Sequence, residues 1–369
     1  MHKKKLVAAV ASSALLLTAP LTASASGTPV GTRAASPTVT VVNDDVVAPF
    51  SLALNKGRVY VADGGTGLVS RVVNGRLRTV ATGPTQPGDV SGLDLSRNGR
   101  YLAYTTTTDE THTKTTLEIL GPLGKRVSAD LAAYEARVNP DRIRSYGVDN
   151  PSQCVRDAFE DMENGAPVNY TGLVDSHPYA VASYGRKWVV ADAGGNDLLW
   201  VDRRGRISTA AVLPRQPLRI TTAIANSLGL PGCVVGVTYH FEAVPTDVEL
   251  GRDGYLYVSI LAGGPESPAL GARSRVYRVD PDTGRSTLVG RRLAGATNLA
   301  VAGNGDIYVA ELFAGRISKL ENGLPTTYAQ LPGALSVEAA PSVLWAGTFA
   351  AFDEEGNVTA PGTIVKISR

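Results

Sequence analysis

Short runs of apolar residues, separated by turn residues, recur along most of this chain. Segment 297–323 shows the pattern most clearly, with three short apolar runs, a tight turn at 304–306 and a closing turn at 322–323. The Asn, Gly and Asp residues of these turns suit the positive φ angles that tight hairpins require. Three strands alone cannot bury a hydrophobic face, so the segment predicts a fold assembled from several similar units.

Similar units can be read along the rest of the sequence, and each has roughly the length of one propeller blade. They begin at Ala48, Val90, His177, Val244, Ala296 and Ala334. The last unit lacks an outer strand, whereas the segment from Val39 to Val42 reads as a strand without a neighbouring partner. We therefore expect this N-terminal strand to lie beside the segment from Thr363 to Ile367. The prediction is an all-β fold, a six-bladed β-propeller whose N-terminal strand closes the last blade.

Three stretches interrupt the repeat. Residues 131–176 are polar with a helical pattern, which predicts a short helical insertion that contains Cys154. A shorter excursion spans 215–243, and an enlarged loop spans 262–273. A seven-bladed ring with one blade hidden in the 131–176 insertion is the alternative.

The N-terminus has the pattern of a secretory signal peptide over residues 1–25. Three lysines at 3–5 precede an apolar run at 6–19 and a small-residue cleavage site at 23–25. The apolar run is shorter than the roughly 20 residues that span a bilayer. We expect cleavage after Ala25, a flexible lead over 26–37 and one propeller domain over 38–369. The mature protein would be secreted, with no membrane attachment.

Composition agrees with a turn-rich β protein and limits the partners. The 369 residues include 39 Gly and 22 Pro, and only 6% are aromatic. The net charge of +2 includes the lysines of the leader, so no nucleic-acid partner is expected. Cys154 and Cys233 are the two cysteines, and we expect a disulfide between them in an oxidising medium. Two buried thiols are the alternative.

The first residues of each inner strand should line the centre of a propeller. Aligning the six unit starts places the following residues at equivalent positions: Ser51, Gly92, Ala180, Asp247, Asn298 and Ala334. Only Asp247 and Asn298 of this set, on adjacent units, offer good oxygen ligands, which makes them candidates for binding Ca²⁺. Because Ca²⁺ prefers roughly 6 to 8 oxygens, main-chain carbonyls, water, Glu242 or Asp175 would complete such a site. Otherwise no cofactor is required, and the two side chains would bond to neighbouring blades.

Two histidines stand close to the starts of inner strands. His177 precedes Tyr179 in the third unit, and His240 precedes Glu242 before the fourth, so both are candidates for the mouth of the channel. A packing or capping role is the alternative for each histidine. His112 is assigned to the outer strands of the second unit.

Acidic residues recur after the second strand of several units. Asp63, Asp192 and Glu311 occupy this position, where an acidic side chain commonly accepts hydrogen bonds from the following turn. No nucleophile elbow, zinc-protease, P-loop or dinucleotide motif occurs, so catalytic residues stay unassigned.

Several segments resemble the ScyD/ScyE family of secreted, NHL-like and TolB-like propeller proteins. They are NPD at 139–141, VDSHPYAVA at 174–182, VVADAGGNDLLWVD at 189–202, VPTDVELGRDGYLYVS at 244–259 and GARSRVYRV at 271–279. The resemblance implies a propeller fold and an exported location, and it assigns no reaction. His177 stands where Asn is expected in many relatives, so no fixed Asn ligand is carried over.

Two functions compete. The favoured one is a monomeric binding module whose loop-rich face recognises a small molecule, glycan or protein. The alternative is a metal-dependent lactonase- or hydrolase-like or lyase-like enzyme, with a metal held by Asp247 and Asn298 at the central channel. A structural role at the cell surface is a third possibility. The first hypothesis requires that the three insertions lie on one face.

Overall fold

The computed structural model describes residues 37–85, 87–160, 167–265 and 270–368. The proposed signal peptide and most of the lead lie outside these residues. Within them the chain forms seven four-stranded antiparallel sheets and one small hairpin. In the described part of the chain, no helix is long and apolar enough to cross a lipid bilayer.

Five sheets are formed by four strands that follow one another along the chain, each pairing with the next. The first two sheets comprise β2 (Pro49–Asn55), β3 (Arg58–Asp63), β4 (Leu68–Val73) and β5 (Arg76–Thr82), then β6 (Asp89–Leu95), β7 (Leu102–Thr107), β8 (Thr115–Leu120) and β9 (Arg126–Asp130). The third comprises β12 (Pro178–Tyr184), β13 (Lys187–Asp192), β14 (Asp197–Asp202) and β15 (Ile207–Val212). The fourth and fifth comprise β18 (Pro245–Leu250), β19 (Leu256–Ile260), β20 (Ser274–Val279) and β21 (Ser286–Leu293), then β22 (Ala296–Val301), β23 (Ile307–Glu311), β24 (Arg316–Glu321) and β25 (Leu324–Gln330).

The sixth sheet joins the two ends of the described chain. Its strands are β26 (Ala334–Ala339), β27 (Val343–Thr348), β30 (Gly362–Ser368) and β1 (Thr38–Val46), and the hairpin of β28 (Ala351–Phe352) and β29 (Val358–Ala360) lies between β27 and β30. Strand β1 is antiparallel to β30, with Val39 opposite Ile367 and Val41 opposite Val365. The N-terminal strand therefore has the partner that the repeat pattern predicted.

The first strands of these six sheets, β2, β6, β12, β18, β22 and β26, are called the central strands. They contact one another in that order, and β26 contacts β2 again. Apolar clusters fill the space between successive sheets, as where Val189 and Leu198 of the third sheet pack with Val248 and Val258 of the fourth. The core is therefore divided among the sheet interfaces.

Two helices lie in the predicted insertion, α1 (Leu131–Val138) and α2 (Gln153–Glu160), and a third, α3 (Thr222–Ser227), lies in the second excursion. Both stretches also contribute strands, which the polar composition did not indicate. These strands form the seventh sheet: β10 (Ser145–Val148), β11 (Asn169–Thr171), β16 (Gln216–Arg219) and β17 (Thr238–Phe241). The seventh sheet is absent from the cyclic sequence of contacts among the central strands.

The seventh sheet, α2 and α3 form a unit that we call the cap, residues 145–160, 167–171 and 214–243. Its own apolar cluster includes Phe159, Ile224 and Phe241, and Leu270 of the enlarged loop packs against it. A disulfide joins Cys154 of α2 to Cys233, as predicted, across 79 residues of sequence.

The long connections all leave the sheets at one end. Successive strands of an antiparallel sheet run in opposite directions. The connection from the second to the third strand therefore lies at the same end of the sheet as the connection from the fourth strand to the first strand of the next sheet. The connections β9 to β12, β15 to β18 and β19 to β20 are of these two kinds. The three insertions therefore share the end where the central strands begin, which we call the loop-rich end.

Replacing both cysteines by alanine should loosen the cap. Loss of a crosslink that closes a loop of this length costs up to about 4 kcal/mol on the chain-entropy model. Hydrogen exchange should increase in residues 145–160 and 214–243, whereas the central strands should keep their protection because they contact one another in a closed order. Equal exchange in the two proteins would contradict a stabilising role for this disulfide.

Candidate functional site at the central strands

Polar side chains of the central strands bond to the main chain of the next central strand. The Asp247 Oδ2 atom accepts a hydrogen bond from the Leu299 amide at 2.8 Å. One sheet further on, the Asn298 Oδ1 atom accepts a bond from the Val337 amide at 2.7 Å. Both side chains are buried, with 4% and 5% exposure. Each of these two predicted ligands therefore already connects neighbouring sheets.

The same arrangement recurs at other interfaces. The Asp94 Oδ2 atom accepts from the Ser183 amide at 2.6 Å, and the Ser336 hydroxyl donates to the Pro49 carbonyl at 2.6 Å. Five of the six central strands have a register shift after their first pair, and β6 has one after its second pair. In β26 this shift makes Ser336 the equivalent of Asp247. The sequence alignment placed Ala334 there, which is wrong because the shift is not visible in the pattern of apolar residues.

The proposed Ca²⁺ ligands have to be judged against these bonds. Within the described ranges, no group of three or more His, Cys, Asp or Glu side chains is placed to hold a metal ion. Asp247 and Asn298 each commit one oxygen to a neighbouring amide. A metal at this pair stays a prediction.

Two residues further along the central strands, acidic residues alternate with alanines. The six positions are Ala53, Asp94, Ala182, Glu249, Ala300 and Glu338. Glu249 and Glu338 form a side-chain hydrogen bond. Two carboxyl groups can share such a bond only when one of them carries a proton. The centre therefore contains a proton-sharing carboxyl pair.

Burial is the main reason why these acids hold protons. Desolvation raises the pKa of Asp94 to about 6, that of Asp247 to about 7 and that of Glu338 to about 8. Burial, followed by repulsion from Glu338, raises the pKa of Glu249 well above its usual value. Groups of this kind can donate and accept protons near neutral pH.

A second group lies at the loop-rich end, where the central strands begin, and we call it the mouth cluster: Phe50, Asp89, His112, Asp175, His177 and Tyr179. The His177 Nε2 atom lies 3.2 Å from Asp89 Oδ2. The His177 ring lies 4.2 Å from that of His112 and 4.3 Å from that of Tyr179, measured between centroids. Phe50 meets Tyr179 edge to face at 6.1 Å. Two predicted site residues, His177 and Tyr179, are thus neighbours.

His112 joins this cluster from the loop between β7 and β8, and its assignment to the outer strands was wrong. Its Nδ1 atom lies 2.8 Å from Asp175 Oδ1, although 63 residues separate the two. Burial opposes a charge on the imidazole, but the bond to Asp175 and the nearby carboxylates outweigh it and raise the pKa of His112. The mouth cluster therefore contains two imidazole–carboxylate pairs.

The other two predicted candidates lie in or against the cap. His240 belongs to β17, and its Nε2 atom lies 3.4 Å from Asp149 Oδ2. It lines a surface cleft of the cap together with Pro151 and Cys233. Glu242 bonds to Tyr170, and burial raises its pKa to about 7. The expectation that His240 faces the same opening as His177 was wrong because the second excursion forms a strand of the cap sheet.

The recurring acids at the ends of the second strands have the structural role that their repetition suggested. Asp63 accepts hydrogen bonds from the Val47, Ala48 and Gly65 amides. Asp192 likewise accepts bonds from the amide of His177 and from turn glycines. Such bonds hold the start of each central strand against its own sheet.

The sequence analysis missed Asp94, Glu249, Glu338 and His112. The three acids could have been found by reading two residues beyond the aligned starts, because alternate residues of a strand share a face. His112 had no such signal, since its partner comes from a distant loop.

Comparison with known proteins gives a fold and no family. No protein-family model matches the chain, and no curated protein matches its sequence. Among solved structures, aldose sugar dehydrogenase from Streptomyces coelicolor is 14% identical with a TM-score of 0.51, covering 91% of this chain and 99% of that one. A streptogramin B lyase is 13% identical with a TM-score of 0.51 and coverages of 90% and 97%. Virginiamycin B lyase from Staphylococcus aureus is 13% identical with a TM-score of 0.50 and coverages of 90% and 99%.

At these identities the likeness shows the fold alone. The four-stranded antiparallel sheets and these neighbours together make the chain a β-propeller protein. The all-β prediction is confirmed, and the ScyD/ScyE resemblance stays a prediction.

Replacing Glu338 by Gln should reduce the dependence of stability on pH. Protons are held more tightly in the folded state, so the acids stabilise the fold most below their ordinary pKa of about 4.5, and this contribution is lost as pH rises towards about 8. The urea midpoint of the wild type should therefore fall between about pH 5 and pH 8.5, and that of Glu338→Gln should fall less. The exposed Glu355→Gln serves as the control. Equal slopes in all three proteins would contradict proton sharing at the centre.

Proposed function

We propose that this chain is a secreted six-bladed β-propeller that binds a small polyhydroxylated molecule or glycan at its loop-rich end. The blade count rests on the cyclic contacts of the six central strands and on the sixth sheet, which β1 completes. Export rests on the signal-like residues 1–25 and agrees with the disulfide.

The mouth cluster is the observation that carries the binding function. It combines the rings of Phe50, Tyr179 and His177 with the carboxylates of Asp89 and Asp175. Aromatic faces supply apolar contact area, and carboxylates and imidazoles can bond to hydroxyl groups. A sugar has both kinds of surface, which favours it over a purely apolar ligand.

The surroundings extend this surface. Phe313 and Phe349, 54% and 39% exposed, lie in loops between second and third strands, so they belong to the same end. Exposed aromatic residues near a polar cluster are typical of recognition surfaces. The cap adjoins the mouth cluster along the chain, since the segment that carries Asp175 directly follows strand β11 of the cap.

Replacing Tyr179 by Ala should weaken ligand binding roughly tenfold or more, because a stacked ring contributes about 1 kcal/mol beyond its buried area. Ligands would be sought by screening oligosaccharides against the purified protein, with affinities measured by calorimetry. Tyr184→Ala is the matched control, because Tyr184 lies at the other end of the same strand and its ring packs against that of Trp200 at an angle of 53°. Equal losses in the two variants, or no saccharide binding by the wild type, would overturn the proposal.

An enzymatic function is the second candidate, and the two imidazole–carboxylate pairs favour it. His112 with Asp175 and His177 with Asp89 have the arrangement of groups that transfer protons. Some structural neighbours are lyases or dehydrogenases, at identities that support only the scaffold. A hydrolase-like or lyase-like reaction would thus take place at the same mouth.

Replacing His112 by Gln should lower the kcat of any lactone, ester or lyase reaction of the protein by about 100-fold, in line with loss of a general acid or base. The rate should be measured across pH, because the raised pKa of His112 moves the loss of its charge to a higher pH than that of a free imidazole. His240→Gln, a histidine of the cap, is the control. Absence of turnover of all these substrates by the wild type, with and without added divalent metal, would leave only the binding function.

A further inference from the structure

Three consecutive residues just before β12, which we call the clasp, are Asp175, Ser176 and His177. Asp175 and His177 each belong to one imidazole–carboxylate pair of the mouth cluster, and both of their partners come from the second sheet. Between them, the Ser176 hydroxyl lies 2.6 Å from the hydroxyl of Thr115, the first residue of β8. All three side chains of the clasp thus bond to the second sheet.

The third sheet also holds the clasp, through Asp192 at the end of β13. Its Oδ2 atom accepts a hydrogen bond from the Ser176 hydroxyl at 2.6 Å, and its Oδ1 atom accepts one from the His177 amide at 2.6 Å. A side-chain carbon at Gly194 would lie 2.8 Å from the amide nitrogens of Ser176 and His177, so the clasp packs against the main chain of the β13–β14 turn. The clasp therefore joins two sheets.

The hydroxyl bonds run in one direction. A hydroxyl group has one hydrogen and a charged carboxylate can only accept, so Ser176 donates its hydrogen to Asp192. Thr115 must then be the donor of the bond to Ser176. All three groups are buried, with exposures of 0% for Thr115 and 1% for Ser176 and Asp192. Loss of the Ser176 hydroxyl would therefore deprive a buried group on each sheet of a partner.

Other sheets show that the repeat itself does not require a hydroxyl at this position. The clasp occupies the three positions before the proline that begins its central strand, and in the first sheet these positions are apolar: Val46, Val47 and Ala48. There Asp63 accepts its bonds from main-chain amides. In the fifth sheet Glu311 likewise accepts a bond from the amide of Ala294, the equivalent of Ser176. The Ser176 hydroxyl is thus an addition made where two imidazole–carboxylate pairs flank it.

This hydroxyl also supports the charge on Asp192. Burial raises the pKa of the Asp192 carboxyl group, the bond from Ser176 opposes that rise, and repulsion from Asp175 adds to it. Burial and then the charge of Asp192 raise the pKa values of two further acids, Glu135 and Asp197. Ser176 therefore helps this carboxylate to stay charged among other acids.

The charge on Asp192 acts in turn on the mouth cluster. Burial lowers the pKa of His112, but nearby carboxylates raise it above its ordinary value: Asp175, Asp192 and Asp89. His177 is the other titratable ring beside it, at 4.2 Å between centroids. The Ser176 hydroxyl therefore influences an imidazole with which it makes no bond of its own.

We propose that Ser176 is the positioning residue of the mouth cluster and fixes both imidazole–carboxylate pairs between the second and third sheets. This role rests on the proposed function, in which the mouth cluster is the ligand site. Ser176 is buried, so it acts through Asp175 and His177 rather than by touching a ligand. Ligand affinity should therefore depend on a hydroxyl that the ligand does not contact.

Ser176→Ala tests this role without a ligand. Hydrogen exchange of the His177 amide should become about tenfold faster, because a hydrogen bond to a charged group contributes roughly that factor to an equilibrium constant. In an NMR titration the pKa of His112 should fall, because Asp192 then holds a proton more readily. A loss of packing alone would not produce this fall. A His112 pKa that does not fall in Ser176→Ala would overturn the proposal.

Substitutions of Thr115 form a matched pair and keep the test decisive if Ser176→Ala does not fold. Thr115→Val keeps a similar shape but removes the donor to Ser176, so exchange of the His177 amide should become faster. Thr115→Ser keeps the hydroxyl and should show the exchange rate of the wild type. Equal exchange of this amide in the Val and Ser variants would contradict a connection between the sheets through Ser176.

Saccharide affinity, measured by calorimetry, separates the positioning role from the proposed function. Ser176→Ala should bind a saccharide ligand of the wild type about tenfold more weakly, by the same hydrogen-bond factor. Ser208→Ala is the control, because Ser208 is an exposed serine in β15 of the same sheet. Equal affinity in Ser176→Ala and the wild type would overturn the positioning role. If the wild type binds no saccharide, the proposed function fails, whereas the exchange and titration results still decide the role of Ser176.

Discussion

Hydrogen bonds from polar side chains of one central strand to the main chain of the next are the interaction on which this structure depends. Neighbouring central strands belong to different sheets, so no main-chain ladder joins them. Asp94, Asp247 and Asn298 satisfy buried amides that would otherwise cost about 1–3 kcal/mol each. Ser336 makes the corresponding bond between the last sheet and the first. The polar side chains at the centre are thus explained by their role in joining neighbouring sheets.

This constraint also shapes the chemistry at the centre. Acidic side chains that bond sideways to a neighbouring strand are desolvated, and their pKa values rise for that reason. Glu249 and Glu338 relieve their repulsion by sharing a proton. The acids of the central strands therefore hold their protons to a higher pH than exposed carboxyl groups do.

The loop-rich end combines the remaining polar features. Antiparallel order directs all three insertions to this end, where the mouth cluster also lies. Asp175 connects the mouth cluster with the third sheet, because it pairs with His112 and belongs to the segment that packs on Gly194. A ligand at the mouth would therefore contact a segment that packs against the third sheet, which places recognition on a rigid support.

The sequence by itself determined the strands, turns and starts of the six repeated units and the helices of the first insertion. It also determined the pairing of the two cysteines and the partner of the N-terminal strand, but not the strands of the cap sheet. The strands and turns follow from apolar alternation and turn residues, which act over a few residues. The disulfide follows because the chain has only two cysteines, and the N-terminal strand has one unit that lacks an outer strand. Only the tertiary structure decided where the polar side chains point. A register shift moved the equivalent of Asp247 from Ala334 to Ser336, a new sheet removed His240 from the mouth, and a loop 63 residues away brought His112 to Asp175. Contacts between distant segments depend on how the sheets pack together, and no local pattern of residues records that packing.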